Sequence, residues 1–124
     1  MNNNLHLFRS ILLIELDNLV EAIHRLIAAC NEKYNKHAIS HKVMLENTAF
    51  FQEEIQGING FHDLVKDYDV SEITDEEELA KVLKGLFSDW AKSHDQPPAL
   101  TPLVELKIDK VLRYVRQEQD SPVK

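Results

Sequence analysis

Apolar residues recur in the first third of this chain at Leu5, Phe8, Leu12, Leu16, Leu19, Ile23, Leu26, Cys30 and Tyr34. Every step is three or four residues, the spacing that lines side chains along one face of an α-helix. The run predicts a long first helix. Asn3 or Asn4 can cap its start by accepting an orphan backbone N–H, and the polar stretch around Asn35 predicts its end. Ser40 is a good N-cap for a second helix burying Val43, Met44, Phe50, Phe51, Ile55 and Ile58. Gly57 and the Asn59-Gly60 pair interrupt that pattern, yet Phe61, Leu64, Val65 and Tyr68 resume it, so a kink or break is expected there.

Further along, Thr74-Asp-Glu-Glu77 reads as a capping box, with acidic residues at the positive end of a helix dipole. Leu79, Val82, Leu83, Leu86, Phe87 and Trp90 follow as the buried stripe of a third helix. The segment His94-Asp-Gln-Pro-Pro98 stops it, because proline lacks the N–H and clashes with the preceding turn. Thr101-Pro102 restarts a helix as N-cap and first helical residue, and that helix buries Val104, Ile108, Val111, Leu112 and Val115.

No alternating strand pattern of useful length competes with these four helices. The short connections from first to second and from third to fourth favour antiparallel neighbours. The expected fold is therefore all-α: an antiparallel four-helix bundle with a long first helix and a kinked or broken second helix. Residues 1–117 form the single domain, and 118–124 a polar tail expected to fray.

Composition narrows the function classes. A formal charge of -7, from 14 Lys+Arg against 21 Asp+Glu, opposes binding to nucleic acid and to anionic membranes, which select positive potential. Arg9, Glu15 and Asp17 interrupt the apolar 5–16 region well before the roughly 20 apolar residues a membrane span needs. The single cysteine cannot form an intramolecular disulfide, and no charged leader with a cleavage site opens the chain, so the expected setting is cytoplasmic.

Among residues able to carry chemistry, Glu21-x-x-His24 has the spacing used for metal by di-iron bundles, which need the motif on two helices and a Glu from each of the other two. Here the motif occurs once, and both residues lie away from the centre of the main stripe. His37 and His41 are four apart, a ligand spacing if both were helical, but a helix starting after Ser40 leaves His37 outside it. Cys30 continues the buried stripe and reads as a small hydrophobe. The three glycines form no phosphate-cradling loop, and no cofactor is expected.

The segment His24-Arg-Leu-Ile-Ala-Ala29 resembles the stretch after the phosphorylatable histidine in histidine phosphotransfer modules, which are also four-helix bundles of about this length. The resemblance covers six residues and implies His24 as a phosphoryl acceptor on an exposed helix face. It departs from those modules where they place Lys and Gly, at Ile27 and Ala28.

A second apolar set, Leu7, Ile11 and Ile14, falls roughly 90 to 150 degrees from the main stripe of the first helix. Either the second half of helix two, Phe61 to Tyr68, covers it, or it meets another chain. Leu103, Leu106 and Tyr114 make a smaller companion patch on the fourth helix. The resulting expectation is a small non-enzymatic protein-binding module: an adaptor, regulator, assembly factor or immunity-type inhibitor. It would act as a homodimer through Leu7, Ile11, Ile14, Leu103, Leu106 and Tyr114. The alternative is a histidine-based device, using His24 for phosphotransfer or Glu21, His24, His37 and His41 for metal.

Overall fold

The computed structural model describes residues 3–120, and these form four helices: α1 (Asn3–Asn35), α2 (His41–Asp67), α3 (Glu76–Ser93) and α4 (Leu100–Asp120). No strand occurs among the described residues. Helix α1 packs on α2 and on α4, and α4 on α3. The pairs run antiparallel: Cys30 Sγ lies 3.9 Å from the Met44 carbonyl oxygen while His62 Nε2 lies 3.4 Å from Asp17 Oδ1. Lys84 pairs with Asp109 at 2.7 Å and Glu77 with Arg116 at 2.8 Å, fixing α3 against α4 in the same sense. The core is built from part of the expected stripes, with Phe8, Leu12, Leu16, Ile58, Phe61, Leu83, Phe87, Val104 and Ile108 fully buried.

Local chemistry sets each boundary. Ser40 Oγ accepts the Val43 N–H at 3.2 Å and starts α2 as expected. Helix α3 starts one residue later than Thr74 as cap: Asp75 accepts the Glu78 N–H at 2.8 Å, and the Glu78 carboxylate accepts from the Thr74 N–H and hydroxyl at 2.8 and 2.7 Å. Asp75 wins because its charged oxygen is the stronger acceptor, which releases Glu77 to pair with Arg116. Helix α4 already includes Leu100, so Thr101 and Pro102 lie in its first turn, where a missing N–H costs nothing. It continues through Asp120, past the expected end at 117; residues 121–124 of the expected tail lie outside the described residues.

Helices α1 and α3 end alike. Ala38 N–H donates to the Lys33 carbonyl at 2.8 Å and Gln96 N–H to the Ala91 carbonyl at 3.0 Å, with left-handed His37 (φ 63°) and Asp95 (φ 54°) just before. Both are six-to-one closures of the Schellman type, built here without the usual glycine.

The expected break in α2 is absent: it is one helix through Gly57, Asn59 and Gly60. Its glycines are places of close approach instead. A Cβ at Gly57 would meet Leu100 Cδ2 at 2.6 Å, and one at Gly60 would meet Trp90 Cη2 at 2.7 Å. The third and fourth helices thus lean onto α2 through side chains that need the missing methyl groups.

The four helices differ in length, and this shapes the molecule. At 1.5 Å per residue α1 is about 50 Å long and α2 about 40 Å, against about 27 and 31 Å for α3 and α4. The α3–α4 turn closes beside Gly57, and Glu15 of α1 lies 3.3 and 3.1 Å from Lys107 and Lys110 of α4. With that register α4 begins opposite Ile23. Beyond it α1 and α2 continue as a bare two-helix hairpin, about 18 Å tall, with only each other for support.

Candidate functional site

Burial changes abruptly at the foot of this hairpin. After Ile23 the only buried residue of α1 is Cys30, and α2 buries no residue before Glu54. Leu26, Val43 and Phe50, all expected in the core, are exposed, Leu26 by 50% and Phe50 by 42%. Met44 and Phe51 are half-buried. The reason is the length mismatch: the stripes are continuous, but α3 and α4 stop before they can cover this part of them. Inside the hairpin, Tyr34 packs against the His41 ring at 5.4 Å and Phe50 against Phe51 at 6.1 Å.

The large exposed hydrophobics of the described chain fall into two groups. Leu26, Val43, Leu45 and Phe50 belong to the hairpin; Leu7, Ile14, Leu106 and Tyr114 belong to the opposite part of the molecule. In the second group the fold brings together the two patches expected from sequence. Ile11 and Tyr114 line one open cleft of about 320 Å³ with Glu15, Lys110 and Val111. Leu7 and Ile14 flank Ile11 on α1, and Leu103 and Leu106 continue the α4 side toward its start.

Helix α2 does not cover this face. Its end packs elsewhere on α1, where the Arg9 guanidinium donates to the carbonyls of Lys66 and Tyr68. Ile11 and Leu103 are half-buried and packed against the core, whereas Ile14 is 58% and Leu106 65% exposed.

Two charges mark these surfaces. Burial raises the pKa of Glu15, but hydrogen bonds and charge from Lys110 and Lys107 outweigh it and hold the carboxyl below its usual range. Glu54, at the foot of the hairpin, is buried with no basic partner among the described residues, and burial pushes its carboxyl up.

The histidines do not converge. Glu21 and His24 are exposed on α1, away from the stripe that meets the other helices. His37 occupies the left-handed position that ends α1, and the His41 ring lies tilted against Tyr34. Among the described residues no three His, Cys, Asp or Glu side chains group closely enough to hold a metal ion. His62 sits between Asp17 and Asp63, and His94 stacks on Trp90 at 4.4 Å. No helix of the described residues is long and apolar enough to cross a membrane.

The hairpin surface was missed from sequence because stripe periodicity reports which side of a helix is apolar, not what covers it. The signal available was length: 33 and 27 residues against 18 and 21. Comparison of the chain with protein-family models, curated proteins and solved structures gives no match.

Proposed function

We propose that this chain is a non-enzymatic protein-binding module of the adaptor kind that works as a homodimer. The observation that carries the reading is the division of its exposed large hydrophobics between two separate regions, the α1–α4 face and the hairpin. Clustered apolar residues rimmed by polar ones are the usual mark of a protein contact. Two such surfaces let one copy hold two chains at once. The α1–α4 face, with Leu7, Ile14, Leu106 and Tyr114, is the homodimer contact expected from the sequence; we assign it instead to a different protein. The ion-paired Glu15, Lys107 and Lys110 give it a polar centre suited to a reversible contact.

A photo-crosslinking residue at Leu106, compared with one at exposed Lys81, tests this in the native host. A discrete adduct from position 106 alone, lost in Tyr114→Glu with helicity unchanged, supports it. No adduct overturns the assignment of that face. His24-dependent phosphoryl labelling, or stoichiometric metal on the purified protein, overturns the non-enzymatic reading in favour of the histidine-based one.

A further inference from the structure

Glu15 accepts from two lysines at once. Lys107 Nζ lies 3.3 Å and Lys110 Nζ 3.1 Å from the same carboxylate oxygen, Oε1. No Asp or Glu stands three or four residues from either lysine on α4, and Asp17, the next acid along α1, faces His62 of α2. Two ammonium groups therefore share one carboxylate, and the cleft between α1 and α4 keeps one positive charge uncompensated among the described residues. Lys110 presents it to solvent, with a side chain 56% exposed against 16% for Glu15. In a chain of formal charge -7 this is a local reversal of sign, set in the middle of an apolar face.

The walls of the cleft are spaced for a helix. Leu7, Ile11 and Ile14 on α1, and Leu103, Leu106, Lys110 and Tyr114 on α4, step by three or four residues. The α4 wall extends about 16 Å, or three helical turns. An extended segment laid here finds no strand to pair with among the described residues, so its N–H and C=O groups would lie unsatisfied over apolar side chains. A helix satisfies those groups internally and offers apolar residues at matching intervals.

We infer that the α1–α4 cleft holds an amphipathic helix of another protein, its apolar seam seated among Leu7, Ile14, Leu106 and Tyr114 and carrying an Asp or Glu against Lys110. The inference rests on the assignment of this face to a different protein and adds the chemistry of the segment that binds. A carboxylate at that level completes a set of two acids and two lysines, so Lys110 can be covered without losing a partner for its charge. A helix with an apolar or basic residue there leaves a covered ammonium group short of a counter-charge, which makes the position a filter as well as a contact.

The same charge argues against a second copy on this face. Each copy brings one uncompensated lysine, so a two-fold contact gathers two of them where an acid-bearing helix leaves none. It argues less strongly for anionic lipid, because the rest of the chain holds -8 and is repelled by such a surface.

Two synthetic amphipathic peptides test the inference, each about 18 residues long with a common apolar seam and differing at one central seam position, Glu in one and Lys in the other. By fluorescence anisotropy the Glu peptide should bind the full-length protein about tenfold or more tightly than the Lys peptide. Lys110→Glu, with helicity unchanged by circular dichroism, should reverse the order, and Leu106→Asn should weaken both.

The inference is overturned if neither peptide binds, if the Lys peptide binds as well as the Glu peptide, or if Lys110→Glu leaves their order unaltered. Binding to phosphatidylserine vesicles that is lost in Lys110→Glu overturns it in favour of a membrane, and a Leu106 adduct joining two copies of this chain overturns it in favour of self-association. The underlying reading is separable. A Leu106 adduct with another protein that persists in Lys110→Glu sinks the acid-bearing helix and leaves the adaptor standing, whereas absence of any adduct sinks the assignment of the face itself.

Discussion

Gly60 of α2 lies directly under the indole of Trp90 on α3, so that a Cβ at residue 60 would fall 2.7 Å from Cη2. The same ring packs against Phe87 and His94, so it has nowhere to retreat without disturbing two neighbours. Alanine at position 60 gains about 1 kcal/mol of helix propensity but overpacks this contact, at about 1–3 kcal/mol. The net expectation for Gly60→Ala is destabilisation. Gly85, also helical, has open space around its missing Cβ, so Gly85→Ala should stabilise by about 0.5–1 kcal/mol. Chemical denaturation of the two variants, giving opposite signs, checks the packing of α3 on α2.

Those glycines also separate what is legible in the sequence from what is not. Helix number, type and most of the core were legible because three- and four-residue spacing survives any packing arrangement, from Leu5 to Val115. Gly57 and Gly60 look like punctuation in the sequence because the partners that require them, Leu100 and Trp90, are remote along the chain. The same limit hid the exposure of Leu26, Val43 and Phe50. The pairing of the Leu7–Ile14 and Leu106–Tyr114 patches was half legible: each stood out on its own helix, but only the α1–α4 register joins them.

The ends of α1 and α3 give a second test. His37 and Asp95 hold left-handed φ values of 63° and 54°, a conformation costing a side chain about 1–2 kcal/mol relative to glycine. Part of that gain is offset by the greater freedom of glycine in the unfolded chain. His37→Gly and Asp95→Gly should each stabilise by about 0.5 kcal/mol, read as a higher thermal midpoint. His37→Val, with a β-branched side chain that resists this region, should lower it.

At the start of α3, Asp75 rather than Thr74 carries the cap, since its carboxylate accepts the Glu78 N–H at 2.8 Å. Asp75→Ala should cost about 1 kcal/mol, typical of losing an N-cap acceptor. The carboxyl of Glu78 is held below its usual range by the Thr74 backbone N–H and hydroxyl. Thr74→Ala removes only the hydroxyl, so its cost should be the smaller of the two. Equilibrium denaturation at neutral pH ranks the pair.

Glu15 predicts a pH dependence with a definite sign. Its burial works against ionisation, yet Lys110 and Lys107 prevail and its native pKa lies below the usual 4.5. A carboxyl of this kind contributes stability above its unfolded pKa and loses it as pH falls through the native value. The contribution should stay below about 1 kcal/mol, because Lys110 is more than half exposed. Denaturation of Glu15→Gln should therefore fall short of the wild type at neutral pH and converge with it in acid, below the native pKa. A gap that persists unchanged in acid would assign the loss to packing instead.

Phe61 and Phe50 lie on the same apolar seam of α2, and the structure assigns them opposite consequences. Phe61 is fully buried and meets Phe87 edge-on at 5.0 Å; Phe61→Ala should cost about 3–5 kcal/mol at any protein concentration. Phe50 is 42% exposed in the single chain, with its ring edge-on to Phe51, so Phe50→Ala should cost about 1 kcal/mol or less in dilute solution. If the hairpin binds its own copy, the two penalties diverge with concentration. The wild type gains stability by mass action as it dimerises and Phe50→Ala does not, so the gap between them widens on concentrating the protein. The Phe61→Ala deficit, set inside the single chain, should stay constant over the same range. Thermal midpoints of all three proteins measured across that concentration range separate the two residues. A Phe50→Ala gap that does not move would place Phe50 outside any self-association surface.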